Sequence, residues 1–239
     1  LGDLENTTKY TQKSIDINLK QLKTSKFADL ANSFLNLGLV KLRNNEYTIA
    51  LKYFELSKKV SARFKEKTNV LSIAYGQLAN TYFVIGEYEK SIMYSKLGYE
   101  NALRNNDIEN FAINIIEKSQ TEIALNKLDE AQKTLNFGII NNAIDKKSDL
   151  FGYLLSHKGQ ILKLNKQFTE ANLYFSDAFK IFIINKNKNG CTVVQTELGL
   201  INYEQKKYQE AILNYKKAFP FVENEMDKAR IFNNISAAY

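Results

Sequence analysis

Five stretches of the chain share one short pattern: Tyr47-Thr48-Ile49-Ala50, Tyr88-Glu89-Lys90-Ser91, Leu128-Asp129-Glu130-Ala131, Phe168-Thr169-Glu170-Ala171 and Tyr208-Gln209-Glu210-Ala211. The small residues that end these stretches lie 41, 40, 40 and 40 positions apart. Four positions after them stand Phe54, Ser95, Leu135, Phe175 and Tyr215, and three positions further stand Ser57, Gly98, Gly138, Ala178 and Ala218. Spacings of three, four and seven residues place these positions on one face of an α-helix, so the pattern predicts a repeated helix.

A second pattern lies about a dozen residues before each stretch, and it is clearest at Asn36-Leu37-Gly38, Gln77-Leu78-Ala79, Lys158-Gly159 and Glu197-Leu198-Gly199. Short polar segments separate the two patterns, at 44–46, 86–87, 126–127, 165–167 and 205–207. Each unit is therefore predicted to be a helix, a tight turn and a second helix. Small residues on both helices let the two backbones approach closely, and the larger residues fill the space between units.

The composition agrees with helices joined by short turns. The 239 residues include one Pro, ten Gly and no Trp, which is too few turn residues for an all-β or α/β fold. Cys191 is the only Cys and His157 the only His, so a multi-cysteine zinc site and an internal disulfide are excluded. We expect no catalytic residue, no metal and no cofactor in this segment. No apolar run approaches the roughly 18 residues of a membrane span, so we expect no membrane contact by this segment.

The net charge of +7 does not by itself indicate nucleic-acid binding. The basic residues are spread along the whole chain, and many stand late in predicted helices, where cations suit the helix dipole. A nucleic-acid groove would collect arginines and aromatic residues on one face. We therefore predict a solvated, lysine-rich surface and no direct contact of this segment with nucleic acid.

The units resemble the tetratricopeptide repeat (TPR) family, whose pattern reads W-x2-L-G-x2-Y…A-x3-F…A. The resemblance covers nearly the whole chain, with departures. The first position of the pattern is never Trp but Phe34, Tyr75, Ile115, Leu155 and Gln195. The third unit has Lys118-Ser119 in place of Leu-Gly. The period is 40 rather than the usual 34 residues, which predicts longer second helices or longer linkers. The resemblance implies an all-α fold, a right-handed TPR-type α-α superhelix (solenoid) of about eleven helices.

The aligned units predict the organisation of the chain. One TPR solenoid is expected over residues 1–239, with a partial unit at 1–30, full units at about 31–71, 72–111, 112–151, 152–191 and 192–228, and a partial unit at 229–239. The first residues align with the turn of the other units, and the last residues align with the interior of a first helix. We therefore expect a fragment of a longer protein.

In TPR solenoids the first helices line the concave face, which implies where a protein or peptide ligand would bind. Asn and Gln side chains both donate and accept hydrogen bonds, so a row of them can hold an extended peptide backbone. The residues that the resemblance places in this groove are Asn32, Asn36, Gln77, Asn80, Gln120, His157, Gln160, Lys163, Glu197, Asn233 and Asn234. TPR domains that bind a chaperone's terminal carboxylate carry Lys and Asn on these helices. Leu35, Leu39, Asn80 and Gln120 stand there instead, which argues against that class of partner.

Long-period TPR arrays rich in Asn, Lys, Ile and Tyr resemble the sensory regions of bacterial transcription regulators and histidine kinases. The resemblance implies a protein- or peptide-binding or self-associating module of a larger bacterial signalling or transcription-regulatory protein. Such a segment is soluble and lies in the cytoplasm or periplasm, in a protein with or without a membrane anchor. A structural adaptor that assembles other proteins is the alternative, and the ligand-binding region of a peptide-pheromone receptor is the third interpretation.

Overall fold

Helices account for nearly all of the chain. The computed structural model describes residues 2–20, 27–63, 69–141 and 143–239. The α-helices are α1 (Gly2–Lys20), α2 (Phe27–Arg43), α3 (Tyr47–Arg63), α4 (Val70–Val84), α5 (Tyr88–Arg104), α6 (Ile108–Ala124), α7 (Leu128–Ile140), α8 (Asp149–Leu164), α9 (Phe168–Ile184), α10 (Lys188–Glu204), α11 (Tyr208–Ala218) and α12 (Glu225–Ala238). A 3₁₀ helix at Phe219–Phe221 contains the single proline. No strand occurs in the described ranges, so the all-α prediction is confirmed.

The helices form two compact units, which divide after Lys127. Unit 1 (Leu1–Lys127) contains α1 to α6, and unit 2 (Leu128–Tyr239) contains α7 to α12. Within each unit, consecutive helices pack against each other as pairs. Twelve α-helices stand in the described ranges where about eleven were predicted, because each terminal partial unit supplies one helix. The first of these, α1, begins at Gly2, where the alignment of repeats predicted a turn.

Helices of 17 residues and turns of three residues together produce the 40-residue period of the repeat. Helices α5, α6, α9 and α10 each have 17 residues. Two such helices and two three-residue turns account for the 40-residue period, so the extra length over the usual TPR unit lies in the helices. The middle residue of each turn has a positive φ, at Asn45, Gly86, Asn106, Asn126, Lys166, Lys186 and Lys206. The following N–H reaches back five residues, as from Gln167 to the carbonyl of Leu162 at 2.8 Å, which closes each helix with a Schellman motif.

Glycines on the first helix of a pair accept an aromatic ring from the second helix. A Cβ atom at Gly199 would lie 2.3 Å from the Tyr215 ring, and one at Gly38 would lie 2.4 Å from the Phe54 ring. Both rings are almost fully buried. The close approach of backbones that the small residues predicted is therefore present, and an added methyl group at either glycine would displace a core aromatic side chain.

The third repeat, which has Lys118-Ser119 in place of Leu-Gly, has a polar first helix, α6. Ser119 of α6 is buried, and its hydroxyl donates to a carbonyl of its own helix at 2.7 Å. Lys118 forms an ion pair with Glu122 one turn later, and both side chains are mostly buried. The second helix of this repeat, α7, ends at Ile140, and α8 begins only at Asp149. Polar packing in α6 thus replaces the Leu-Gly pair that two of the other repeats have at this position.

Candidate functional site

Four of the predicted site residues line one groove in unit 2. They are His157 and Gln160 on α8, Glu197 on α10 and Asn234 on α12. The groove has a volume of about 370 Å³. Its other lining residues are Tyr153, Ser156, Val193, Thr196, Leu200 and Arg230. Because aliphatic and hydrogen-bonding side chains share the wall, the groove can contact both the side chains and the backbone of a bound chain.

An ion pair lies at the edge of this groove. Lys163 Nζ donates to Oε2 of Glu197 at 2.6 Å, and Gln160 Nε2 donates to the other carboxylate oxygen at 3.1 Å. The side chains of Lys163 and Glu197 are only 13% and 15% exposed. This network joins α8 to α10, and it neutralises both charges. Three of the predicted groove residues therefore use part of their hydrogen-bonding capacity inside the protein.

His157 is held in its neutral form. Burial lowers the pKa of its imidazole to about 4, and the hydrogen bond to Gln160 and the charge of Glu197 offset only part of this effect. Its Nδ1 atom is buried without a hydrogen-bond partner. At neutral pH the residue therefore contributes a ring surface to the groove, but no charge.

Tyr153 connects the wall of the groove to the start of α10. The side-chain amide of Asn187 donates to the Tyr153 hydroxyl oxygen at 3.1 Å. The amide oxygen of Asn187 accepts the N–H of Gly190 at 2.9 Å, which caps α10. The Tyr153 ring also packs on Phe182, with ring centroids 4.9 Å apart. These contacts fix the orientation of one wall residue before any ligand binds.

In unit 1 a smaller cavity of about 230 Å³ lies between α4 and α6. Gln77 is the predicted site residue that lines it. The other lining residues are Asn69, Ile73, Gly76, Glu109, Asn110, Ile113, Asn114 and Glu117. Two oxygen atoms of this lining, Asn114 Oδ1 and Glu117 Oε2, are buried without a hydrogen-bond partner. Burial raises the pKa of the Glu117 carboxyl to about 8, so it is mostly protonated at neutral pH.

A third cavity, of about 620 Å³, lies between α1 and α2 of unit 1. The predicted residues Asn32 and Asn36 line it. The remaining lining residues are Tyr10, Lys13, Ser14, Ile17, Asp29 and Ser33. Because Asn32 and Asn36 are exposed and lie one turn apart on α2, they present two amide groups on one helix face.

Comparison with known proteins gives structural matches. No protein-family model matches the chain, and no curated protein matches its sequence. The apo form of the quorum sensor NprR from B. thuringiensis is similar with a TM-score of 0.72 and 15% identity, over 99% of this chain and 70% of that chain. TTC0263, a thermophilic TPR protein of Thermus thermophilus, is similar with a TM-score of 0.64 and 15% identity, over 86% of this chain and 98% of that chain.

A third match is the Signal Transduction ATPase with Numerous Domains (STAND) protein with a tetratricopeptide repeat sensor from Pyrococcus horikoshii. Its TM-score is 0.67 at 20% identity, over 88% of this chain and 32% of that chain. The chain has a TPR-like repeat fold. It spans about a third of the length of the STAND protein. At identities this low the similarity concerns the fold, and a site must be argued from its own residues.

Three further residues that were predicted to lie in the groove of the TPR-like chain line none of these three cavities. Asn80 is half-buried on α4, while Gln120 on α6 and Asn233 on α12 are exposed. Of the predicted groove residues, Asn32 and Asn36 line the cavity between α1 and α2, and Gln77 lines the cavity between α4 and α6. Four others line the groove among α8, α10 and α12.

The TPR pattern did not predict several residues that shape these cavities, among them Tyr153, Arg230, Asn114 and Glu117. For Glu117 a signal was available, since this residue directly precedes Lys118-Ser119, where the pattern departs from Leu-Gly. Charged residues at a position that usually packs against a neighbouring helix indicate a polar interior. The orientation of Asn114 against Gly98 depends on the packing of α5 and α6 and has no local signal.

Groups that could support catalysis or metal binding are sparse in the TPR-like chain. Cys191 is 1% exposed near the start of α10, and burial raises the pKa of its thiol, which disfavours the reactive thiolate. Within the described ranges no three His, Cys, Asp or Glu side chains are grouped closely enough to hold a metal ion. Among the helices described, none combines the length and the apolar character needed to cross a bilayer.

Proposed function

We propose that this chain is a protein- or peptide-binding TPR-like module of a larger bacterial signalling or transcription-regulatory protein. The unit 2 groove between α8, α10 and α12 is the binding site, and an extended peptide is the ligand. The observation that carries the proposal is the convergence of polar and aliphatic side chains from three successive first helices on one groove of about 370 Å³. The proposal assigns no catalytic step and no cofactor to this segment.

The groove offers complementary contacts to an uncharged peptide segment. Asn234 can donate to and accept from a peptide backbone. Val193 and Leu200 supply an aliphatic wall for a side chain. Because Lys163 and Glu197 neutralise each other, this pair exerts little net attraction on charged residues of a ligand. We therefore expect selected peptides to carry an apolar residue flanked by backbone that is free to form hydrogen bonds.

The structural neighbours support a signalling role by analogy. One is described as a quorum sensor and another as a signal-transduction ATPase with a TPR sensor. A sensor of this kind uses the TPR-like region to detect a ligand, and its output lies elsewhere in the longer chain. The neighbours support this part of the proposal less directly than the groove supports peptide binding, because their similarity concerns the fold.

The proposal can be tested by selecting peptides from a random phage-displayed library against the immobilised chain. Affinities of the selected peptides are then measured by fluorescence anisotropy for the wild type, for Val193→Glu and for Leu173→Glu. Val193 lies in the groove on α10, whereas Leu173 is 63% exposed on α9 outside it. A carboxylate in the groove excludes an apolar side chain, so Val193→Glu should weaken binding at least about tenfold.

Leu173→Glu is the matched control, since it adds the same charge to the same unit. It should leave the affinity unchanged. If the library yields no binder, or if Leu173→Glu weakens binding as much as Val193→Glu, the groove is not the binding site. If Leu173→Glu weakens peptide binding and Val193→Glu does not, the result favours an adaptor that binds its partners on the exposed face of the second helices. Circular dichroism checks that both variants remain helical.

A further inference from the structure

The cavity between α4 and α6 contains acceptor atoms that the protein does not satisfy. Asn114 is fully buried, and its side-chain amide donates to the carbonyl of Asn110 at 2.7 Å. This hydrogen bond fixes the orientation of the amide, so the oxygen is the atom left without a partner. A buried acceptor without a donor costs about 1–3 kcal/mol, so this oxygen favours a donor from outside the chain, either a water molecule or a ligand that displaces it.

The carboxyl of Glu117 lies beside this first acceptor and provides a second one when it is ionised. Its Oε2 atom is also buried without a partner. A Cβ atom placed on Gly76 would lie 3.3 Å from Asn114 Oδ1 and 3.4 Å from Glu117 Oε2. Both oxygens therefore face the space beside Gly76, and Asn114 Oδ1 also packs against Gly98, where an added Cβ atom would lie 2.0 Å from it. A side chain at residue 76 would fill part of this space.

The charged groups around the cavity are all acidic. Glu109 and Glu117 of α6 line it, and no Lys, Arg or His does. The α4 side consists of residues that do not titrate, namely Asn69, Ile73, Gly76 and Gln77. On α5, Gly98 packs against the side chain of Asn114. The cavity therefore favours a ligand that donates hydrogen bonds and carries positive charge.

We propose that this cavity binds a cationic nitrogen group, either a primary ammonium or a guanidinium, through Asn114 Oδ1 and the Glu117 carboxylate. The volume of about 230 Å³ suits a side chain or a small amine rather than a drug-sized molecule. Ile73 and Ile113 supply apolar surface for the methylene groups of such a ligand. The cavity belongs to unit 1, so the proposal is independent of the peptide groove in unit 2.

A nitrogen cation fits better than the other two candidate occupants. No group of three His, Cys, Asp or Glu side chains that could hold a metal ion exists in the part of the chain that the structure describes, and the apolar surface of Ile73 and Ile113 suits an alkyl amine better than a hydrated metal ion. An anion would face two carboxyl groups and an amide oxygen. An ammonium group has three N–H donors, and the two oxygens can accept two of them.

Binding should be coupled to the ionisation of Glu117. The free carboxyl has a pKa of about 8 because it is buried, and the bound cation stabilises the carboxylate form. The ligand therefore releases a proton when it binds below pH 8. The apparent affinity should rise by roughly tenfold per pH unit as the pH approaches 8 from below, and it should level off above that pH. Glu109, at the mouth, is exposed and provides only screened attraction.

The test measures the pKa of Glu117 by NMR of carboxyl-labelled protein, with and without n-butylamine. The amine should lower this pKa by at least one pH unit, because it favours the carboxylate. Its uncharged analogue of matched size, n-butanol, should leave the pKa unchanged. Putrescine and the peptide acetyl-Ala-Lys-Ala-amide distinguish the two sources of the cation, a free amine or a protein side chain. An unchanged pKa with n-butylamine, with putrescine and with the peptide contradicts the proposal.

Two variants separate specific binding from general electrostatic attraction. Glu117→Gln replaces the buried carboxyl by a neutral group of the same shape and should weaken n-butylamine binding at least tenfold, as measured by calorimetry. Glu109→Gln removes the same charge from the mouth of the cavity and should have an effect of less than threefold. Equal losses in the two variants would mean that the cation is attracted by charge alone, and the site would be discarded. Circular dichroism confirms that the two variants retain the wild-type helix content.

Discussion

The two units use the same repeat in different ways. The second helix of one repeat in unit 1 carries Ser95 at the position where unit 2 has Phe175, two periods further along the chain, and both residues are fully buried. Unit 2 pairs its groove carboxylate, Glu197, with Lys163 at 2.6 Å. Unit 1 leaves the carboxyl of Glu117 without a partner for Oε2. Aligned positions thus preserve the helix geometry, while the groove carboxylate of unit 2 is paired with a lysine and the Oε2 atom of Glu117 in unit 1 is not paired.

The largest expected effect concerns the buried residue at this equivalent position of the second helix in the two units. Phe175→Ala removes a ring that contacts Gly159 and is fully buried, so the free energy of unfolding should fall by about 3–5 kcal/mol. Ser95→Ala at the equivalent position should change it by less than about 1 kcal/mol, because the Ser95 hydroxyl only bonds to the Ser91 carbonyl of its own helix at 2.8 Å. Urea denaturation followed by circular dichroism measures both.

Similar losses in these two variants would contradict the comparison. They would show that the two positions contribute equally to stability, whatever the size of the side chain. A Phe175→Leu variant provides a check, since it keeps most of the apolar volume and should lose less than Phe175→Ala does.

The next effect concerns the pH dependence of stability. The folded state raises the pKa of Glu117 to about 8 from an ordinary value of 4.5. The protonated carboxyl is favoured in the fold, so its contribution to stability is complete below pH 4.5 and is lost as the pH rises to 8. Glu117→Gln should therefore match the wild type near pH 4.5 and exceed it by roughly 2 kcal/mol at pH 8, which urea denaturation at several pH values measures.

His157 in unit 2 gives a control of opposite sign. The folded state lowers its pKa to about 4 from an ordinary value of 6.5. Its contribution to stability is complete above pH 6.5 and is lost as the pH falls to 4. His157→Gln should therefore lose less stability than the wild type between pH 6.5 and pH 4, and it should show no such pH-dependent difference at higher pH. If Glu117→Gln changed stability on the acid side, or equally at every pH, the carboxyl would not be the titrating group.

The sequence predicted the helix pairs because their determinants are local and periodic. The small residues Ala50, Ala131 and Ala211 mark one helix face each, and all three are fully buried. The ion pair between Lys163 and Glu197 joins residues 34 positions apart on different helices. Both residues were predicted to face the groove, but their pairing depends on how α8 packs against α10. Burial of an acidic residue such as Glu117 likewise depends on a neighbouring helix.

The smallest effect concerns the turns, which also differ between the units. Left-handed turn residues are Asn45, Gly86, Asn106 and Asn126 in unit 1, but Lys166, Lys186 and Lys206 in unit 2. Lys206→Gly, at a φ of 62°, should raise the free energy of unfolding by up to about 1 kcal/mol, because glycine adopts this conformation without strain. The reverse change, Gly86→Lys at a φ of 81°, should lower it by about 1 kcal/mol or more. Denaturation with urea measures both. A loss of stability in Lys206→Gly would show that the lysine side chain contributes more than the backbone strain costs, and the turns of the two units would then not be equivalent.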